Sequence, residues 1–121
     1  MSSLPKYYGF YTPFLTALQD QKVHTSKEIQ ADIAQMLNLS DEQLSEVLPS
    51  GTQSVFCNRI GWAKTYLKKA GLIESSKKGC YSISAEGLSL LHSGITITDT
   101  LLAQRYPSFA AFKYGERKKS S

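Results

Sequence analysis

The chain has 121 residues, 41% of them hydrophobic and 20% charged, which fits one globular domain and excludes both a disordered chain and two ordinary domains. No apolar run approaches about 18 residues, and Met1 to Tyr11 lacks the basic-then-apolar layout of a signal peptide, so the expectation is a cytoplasmic protein with no membrane partner. Charge is uneven: residues 1–50 hold three lysines against six acids, a net of −3, whereas residues 51–121 hold eleven basic residues against four acids, a net of +7. Such asymmetry points to an anion-binding face, nucleic acid being the commonest partner, with an unpartnered solvated face as the alternative.

In chain order, Pro13 suits a first helical turn with Thr12 as N-cap, and a helix over about Thr12–Gln21 would bury Phe14, Leu15 and Leu18. Val23-His24-Thr25 reads as an extended link. Thr25 with Glu28 forms a capping box, opening a helix over Ser26–Leu37 with Ile29, Ile33, Met36 and Leu37 on one face. Asn38 ends it. Ser40 with Gln43 forms a second box, opening a helix through Leu48 that Pro49 stops, and Pro49-Ser50-Gly51 is a loop. The longest helical pattern runs over Gln53–Ala70 and closes at Gly71 in the C′ position. Its core face is Phe56, Ile60, Ala63 and Leu67, spaced by four, three and four residues.

Two β-compatible runs, Leu72–Ser75 and Cys80–Ile83, flank Ser76-Lys77-Lys78-Gly79 and read as a hairpin. Ser84 caps a further helix with Leu88, Leu90 and Leu91, followed by Gly94. Ile97–Lys113 reads as one or two helices interrupted at Pro107. The fold class is therefore mainly α with a small β-hairpin, a winged helix in which a helix-turn-helix carries a wing. The Gln53–Ala70 helix would be the one placed in the DNA major groove. The domain is expected over residues 1–114, with 115–121 a basic tail or the start of a linker.

Opposite the core face, the long helix carries Ser54, Asn58, Gly61, Thr65, Lys68 and Lys69. Lys64 sits at the flank, and Arg59 and Trp62 lie nearer the core boundary. Asn58 suits adenine's paired donor and acceptor. Thr65 suits a base or a phosphate, and the lysines suit phosphates. Gly61 leaves room for close approach of a backbone. With the wing-tip residues Lys77 and Lys78, the candidate DNA-binding set is Ser54, Asn58, Arg59, Gly61, Lys64, Thr65, Lys68, Lys69, Lys77 and Lys78. Each has a bland alternative: the helix lysines favour the helix C-terminus through its dipole, Arg59 bonds a neighbouring segment, Asn58 braces the Pro49–Gly51 loop, and Trp62 and Tyr66 pack.

The stretch Asn58-Arg-Ile-Gly-Trp-Ala-Lys-Thr-Tyr-Leu-Lys-Lys-Ala-Gly-Leu72, with Gly79-Cys-Tyr-Ser-Ile-Ser-Ala-Glu-Gly87 after it, resembles the signature of the N-terminal domain of Mrr-type restriction endonucleases. The resemblance runs from about Tyr11 to Leu91. It implies a winged-helix targeting domain that precedes a separate nuclease domain cutting modified, often methylated, DNA. No site for that chemistry is readable here. Glu116-Arg-Lys118 matches the E-x-K letters of such nucleases without an upstream strand or acid, and is taken as chance. No cofactor is expected for this chain, and Mg2+ only for the nuclease domain.

Three classes of function remain to be told apart. The first is a module for double-stranded DNA, favoured by a basic face. The second is a protein-interaction or dimerisation module, such as one forming a homodimer, which a large exposed apolar patch would favour. The third is a small enzyme, for which no nucleophile, base or carboxylate pair is recognisable. Cys57, Cys80, His24 and His92 lack the local pair spacing of a metal site.

Overall fold

The computed structural model describes residues 4–49, 51 and 53–114. The chain enters through a 3-10 turn at Tyr7–Phe10 that runs directly into helix α1, Tyr11–Ala17. The helix thus starts one residue before the expected N-cap. Thr12 lies inside the first turn, where its carbonyl accepts a hydrogen bond from Thr16 Oγ1 at 2.8 Å. Phe10 stands at the cap with no side-chain bond, because burying its ring is what fixes the entry. Pro13 still falls where a missing N–H costs nothing. The helix also ends early, at Ala17 rather than Gln21, and Gln21 turns the chain with a φ of 66°.

The expected link is a short strand, β1, His24–Thr25. Helix α2, Ser26–Met36, opens with the expected capping box: Glu28 N donates to Thr25 Oγ1 at 3.2 Å, and Thr25 N to Glu28 Oε1 at 2.9 Å. Ile29 and Ile33 are buried, Leu37 packs partly against the core, and Met36 is exposed. Asn38 leaves the helix with a φ of 53°. The second box, Ser40 with Gln43, opens α3, Asp41–Ser45. That helix stops three residues short of Leu48, because Glu46–Leu48 pairs with the chain entering the next helix. Leu48 N donates to Gln53 O and Val55 N to Glu46 O, each at 2.9 Å.

Helix α4, Val55–Lys69, buries Phe56, Ile60, Ala63 and Leu67 on the expected face. Its end is a full Schellman motif, with Leu72 N donating to Leu67 O and Gly71 N to Lys68 O, each at 3.0 Å. Gly71 supplies the left-handed residue, φ 81°. Strands β2, Ile73–Lys77, and β3, Cys80–Ile83, form the hairpin. All pairs are antiparallel in the order β1-β3-β2. Glu74 faces Ser82 while Lys77 faces Cys80, so β2 carries one extra residue in a bulge that increases its local twist. Lys77 is accordingly in the strand and not in the turn. The result is a mainly helical protein with a small three-stranded antiparallel sheet.

Helices α5, Ala85–His92, α6, Asp99–Arg105, and α7, Pro107–Tyr114, complete the described chain. Ser84 caps α5 through Gly87 N at 3.0 Å. A Cβ at Gly87 would lie 2.1 Å from the Leu72 carbonyl oxygen, so only glycine lets α5 dock against the end of α4. Pro107 separates two helices, and α7 returns to α4, burying Phe109 completely. The expected basic tail, 115–121 with Glu116 and Lys118, lies outside the described residues, as does Ser50 of the Pro49–Gly51 loop.

Candidate nucleic-acid interface

The successive turns of α4 give it two unlike flanks beside its core face. At about 100° per residue, Cys57, Gly61, Lys64 and Lys68 lie on one flank. Arg59, Trp62, Tyr66 and Lys69 lie on the other, and Asn58 and Thr65 point outward between them.

The first flank is basic and looks toward the hairpin. Ser26, at the start of α2, donates its N–H to Gly79 O in the hairpin turn at 2.9 Å. Lys64 Nζ lies 5.8 Å from the centre of the Tyr81 ring on β3. Both contacts tie the hairpin, with Lys77 and Lys78 exposed at its tip, to the same side of the molecule as Lys64 and Lys68. Among the described residues, no carboxylate lies within ion-pair distance of these four lysines. Their charge is left for an external anion.

Gly61 is the centre of this flank. No atom comes within 4 Å of where its Cβ would stand, so packing does not require a glycine there. A mid-helix glycine costs about 1 kcal/mol against alanine. Beneath it, between α2, α4 and β3, is a cavity of about 210 Å3. Sequence reasoning missed the cavity's other contributors, Ser26, Gln30, Gln53, Cys57 and Tyr81. Its one signal was the unexplained glycine.

The remaining candidates divide. Asn58 Nδ2 donates to Gln53 Oε1 at 3.2 Å, and among the described residues its carbonyl oxygen and other N–H hydrogen have no partner. Thr65 Oγ1 donates to Gly61 O at 3.0 Å and keeps its acceptor lone pairs. Two candidates are committed within the protein. Ser54 is the N-cap of α4, accepting from Cys57 N at 3.0 Å. Arg59 Nη1 donates to Leu4 O at 3.1 Å and Pro5 O at 3.0 Å, pinning the N-terminal segment. Lys69 is exposed, its Nζ 4.9 Å from the centre of the exposed Phe112 ring.

That second flank is aromatic. Tyr66 meets Tyr7, Trp62, Phe109 and Phe112 with ring centres 5.3–5.7 Å apart. Tyr7 and Tyr11 donate to the two oxygens of Asp99 on α6, at 2.5 and 2.6 Å. Burial, and after it the Asp99 hydrogen bond, pushes the Tyr11 phenol far above its ordinary pKa, and Tyr7 moves the same way for the same reasons. Lys113, beside the Tyr7 hydroxyl, is held above its ordinary value chiefly by that hydrogen bond. Trp62, expected to pack, is 47% exposed, and Phe112 and Tyr114 are exposed with it.

The titratable groups are otherwise spread out. His24 Nε2 lies 2.9 Å from Asp20 Oδ1, and Nδ1 3.7 Å from Glu28 Oε1. The hydrogen bond to His24 is the main cause holding the Asp20 carboxyl below its usual range. No group of three His, Cys, Asp or Glu among the described residues is placed to hold a metal ion. No helix of the described residues is long and apolar enough to cross a membrane.

The Mrr N-terminal domain family matches residues 7–93. The type IV methyl-directed restriction enzyme EcoKMrr of Escherichia coli (strain K12) is 33% identical over 92 residues, covering 75% of this chain and 30% of that enzyme. The chain thus corresponds to under a third of the length of that relative. No solved structure matches. The chain belongs to the Mrr N-terminal domain family.

Proposed function

We propose, from that membership, that the chain is a winged-helix module that binds double-stranded DNA and brings a nuclease domain of its parent protein to modified DNA in the cytoplasm. The order α1-β1-α2-α4-β2-β3, with the sheet order β1-β3-β2, supports the winged-helix reading: α2 and α4 make the helix-turn-helix pair, α3 is an insertion, and β2–β3 is the wing. The related enzyme's description as methyl-directed supports modified DNA as the target. Hydrolysis is assigned to the separate nuclease domain, and Mg2+ with it.

One observation carries the proposal: the unneutralised lysines of α4 and of the hairpin lie on one side, with Lys64 Nζ 5.8 Å from the centre of the Tyr81 ring on β3. With α4 in the major groove, Lys64, Lys68, Lys77 and Lys78 reach phosphates, and Asn58 and Thr65 reach base edges. Lys69, exposed, stays in the contact set, whereas Ser54 and Arg59 leave it because their groups serve the fold. A second reading, a protein-contact or dimerisation surface, is favoured only for the opposite flank, by exposed Trp62, Phe112 and Tyr114.

The test is a salt titration of duplex affinity. Binding should fall steeply as salt rises. Alanine at Lys64, Lys68, Lys77 or Lys78 should weaken binding to all sequences alike and lower the salt slope by about one each. Affinity that stays flat from low to physiological salt would overturn the assignment.

A further inference from the structure

The cavity under Gly61 has no role in laying a helix into a groove, which uses only the surface of α4. We infer that it is a receptor for one methylated nucleobase turned out of the duplex, an inference that rests on the DNA-binding reading above. Position is the first argument. The cavity is lined by Gly61 and Lys64 of the basic flank and by Ser26, whose N–H holds the wing turn, so it lies between the two basic elements that would straddle the duplex.

Size is the second argument. About 210 Å3 is roughly seven times the volume share of a water molecule, room for a substituted ring and far more than a methyl group needs. The lining matches such a ring. Phe14, Ile29 and Ile60 give an apolar, buried floor for its face and its methyl. The amides of Gln30 and Gln53, whose oxygens accept from Cys57 Sγ and Asn58 Nδ2, offer N–H donors and a second oxygen lone pair to the polar edge, as extruded bases are read elsewhere by edge hydrogen bonds and stacking. The lining holds no carboxylate and includes Lys64, which disfavours a cation. Gly61 is the third argument. The helix would be more stable with alanine and nothing packs against the site, so the missing side chain keeps a passage open.

The experiment measures binding to otherwise identical duplexes carrying one 5-methylcytosine, one N6-methyladenine or no modification. A 2-aminopurine beside the variable base reports its unstacking. Wild-type protein should prefer one methylated duplex by about fourfold or more, the worth of one buried methyl group, and 2-aminopurine should brighten on binding. Gly61→Leu, which places a side chain in the passage, should abolish preference and brightening. Gln30→Ala, remote from the outer surface of α4, should cut the preference without changing the salt slope. A thermal melt shows that each variant is folded. Salt-dependent binding without methyl preference overturns the receptor alone, as does a preference that survives Gly61→Leu or arises without brightening. Absence of duplex binding overturns both the receptor and the proposed function.

Discussion

The two flanks of α4 are built from neighbouring residues of one helix, yet they use their polar groups in opposite ways. On the aromatic flank every strong group is satisfied inside the protein: Asp99 takes two tyrosine hydroxyls, Arg59 takes two backbone carbonyls, and Lys113 lies over the rings of Tyr7 and Tyr66. On the basic flank Lys64, Lys68, Lys77 and Lys78 face no carboxylate among the described residues, and a glycine opens the surface where alanine would have been more stable. Groups that hold a fold together are found paired. An avoidable glycine is stability given up, and such sites are where function concentrates.

If this division is right, damage to each flank should appear in a different measurement. The largest effect on stability should come from Phe109→Ala. That ring is fully buried where α7 meets α4, and truncating a buried aromatic costs about 3–5 kcal/mol. Chemical denaturation should show the loss, while duplex affinity of the folded protein stays near wild type. A matching drop in affinity with stability unchanged would reverse the roles of the two flanks.

Tyr11→Phe should cost less, about 1.5–3 kcal/mol at neutral pH, the range for a hydrogen bond to a charged group. It also predicts a pH dependence. Tyrosines of the unfolded chain lose their protons near pH 10, whereas burial and Asp99 keep the Tyr11 proton on to higher pH in the folded protein. Tyr106, half-buried and donating to Glu86 Oε2 at 2.6 Å, is likewise pushed up to about 12. This stabilisation is complete below pH 10 and is lost as pH rises beyond it, because the unfolded state then releases protons that the folded state retains. Urea melts from pH 7 to 11 should show stability declining above pH 10, and the decline should be shallower in Tyr11→Phe. An equal decline in both proteins would remove Tyr11 from the account.

What could be read in the sequence was what is local. Both capping boxes, the Gly71 cap and the core face of α4 depend on residues within a few positions of one another, and all are present. What could not be read was set by partners distant in the chain. The Asp99 cluster joins residues 88 and 92 positions apart. Val23–Thr25 looked like a link because β1 is two residues long and exists only by pairing with β3. Arg59 carries a charge that suits a phosphate, and a helical wheel cannot show that it is bound to Leu4 and Pro5. Gly61 was visible, but the cavity beneath it needed α1, α2 and β3 in place.

Asn58→Ala should have the smallest effect on stability, and it tests the line between the flanks. The residue points outward, and among the described residues its side chain makes the 3.2 Å hydrogen bond to Gln53 Oε1, an exposed pair of the sort whose loss changes stability by under about 0.5 kcal/mol. That bond uses one N–H hydrogen. It holds the amide in a fixed orientation while leaving the other hydrogen and the carbonyl oxygen, the two atoms adenine's N7 and N6 require. Gln53 therefore braces a reader and does not replace it. Discrimination between good and poor sites should fall by about 1–3 kcal/mol if the contact is bidentate, with the melting temperature nearly unchanged. Gln53→Ala should reduce discrimination by less, since the Asn58 amide remains but is no longer held. A lowered melting temperature with sequence preference intact in Asn58→Ala would make the pair purely structural and would move base reading toward Thr65 and the basic flank.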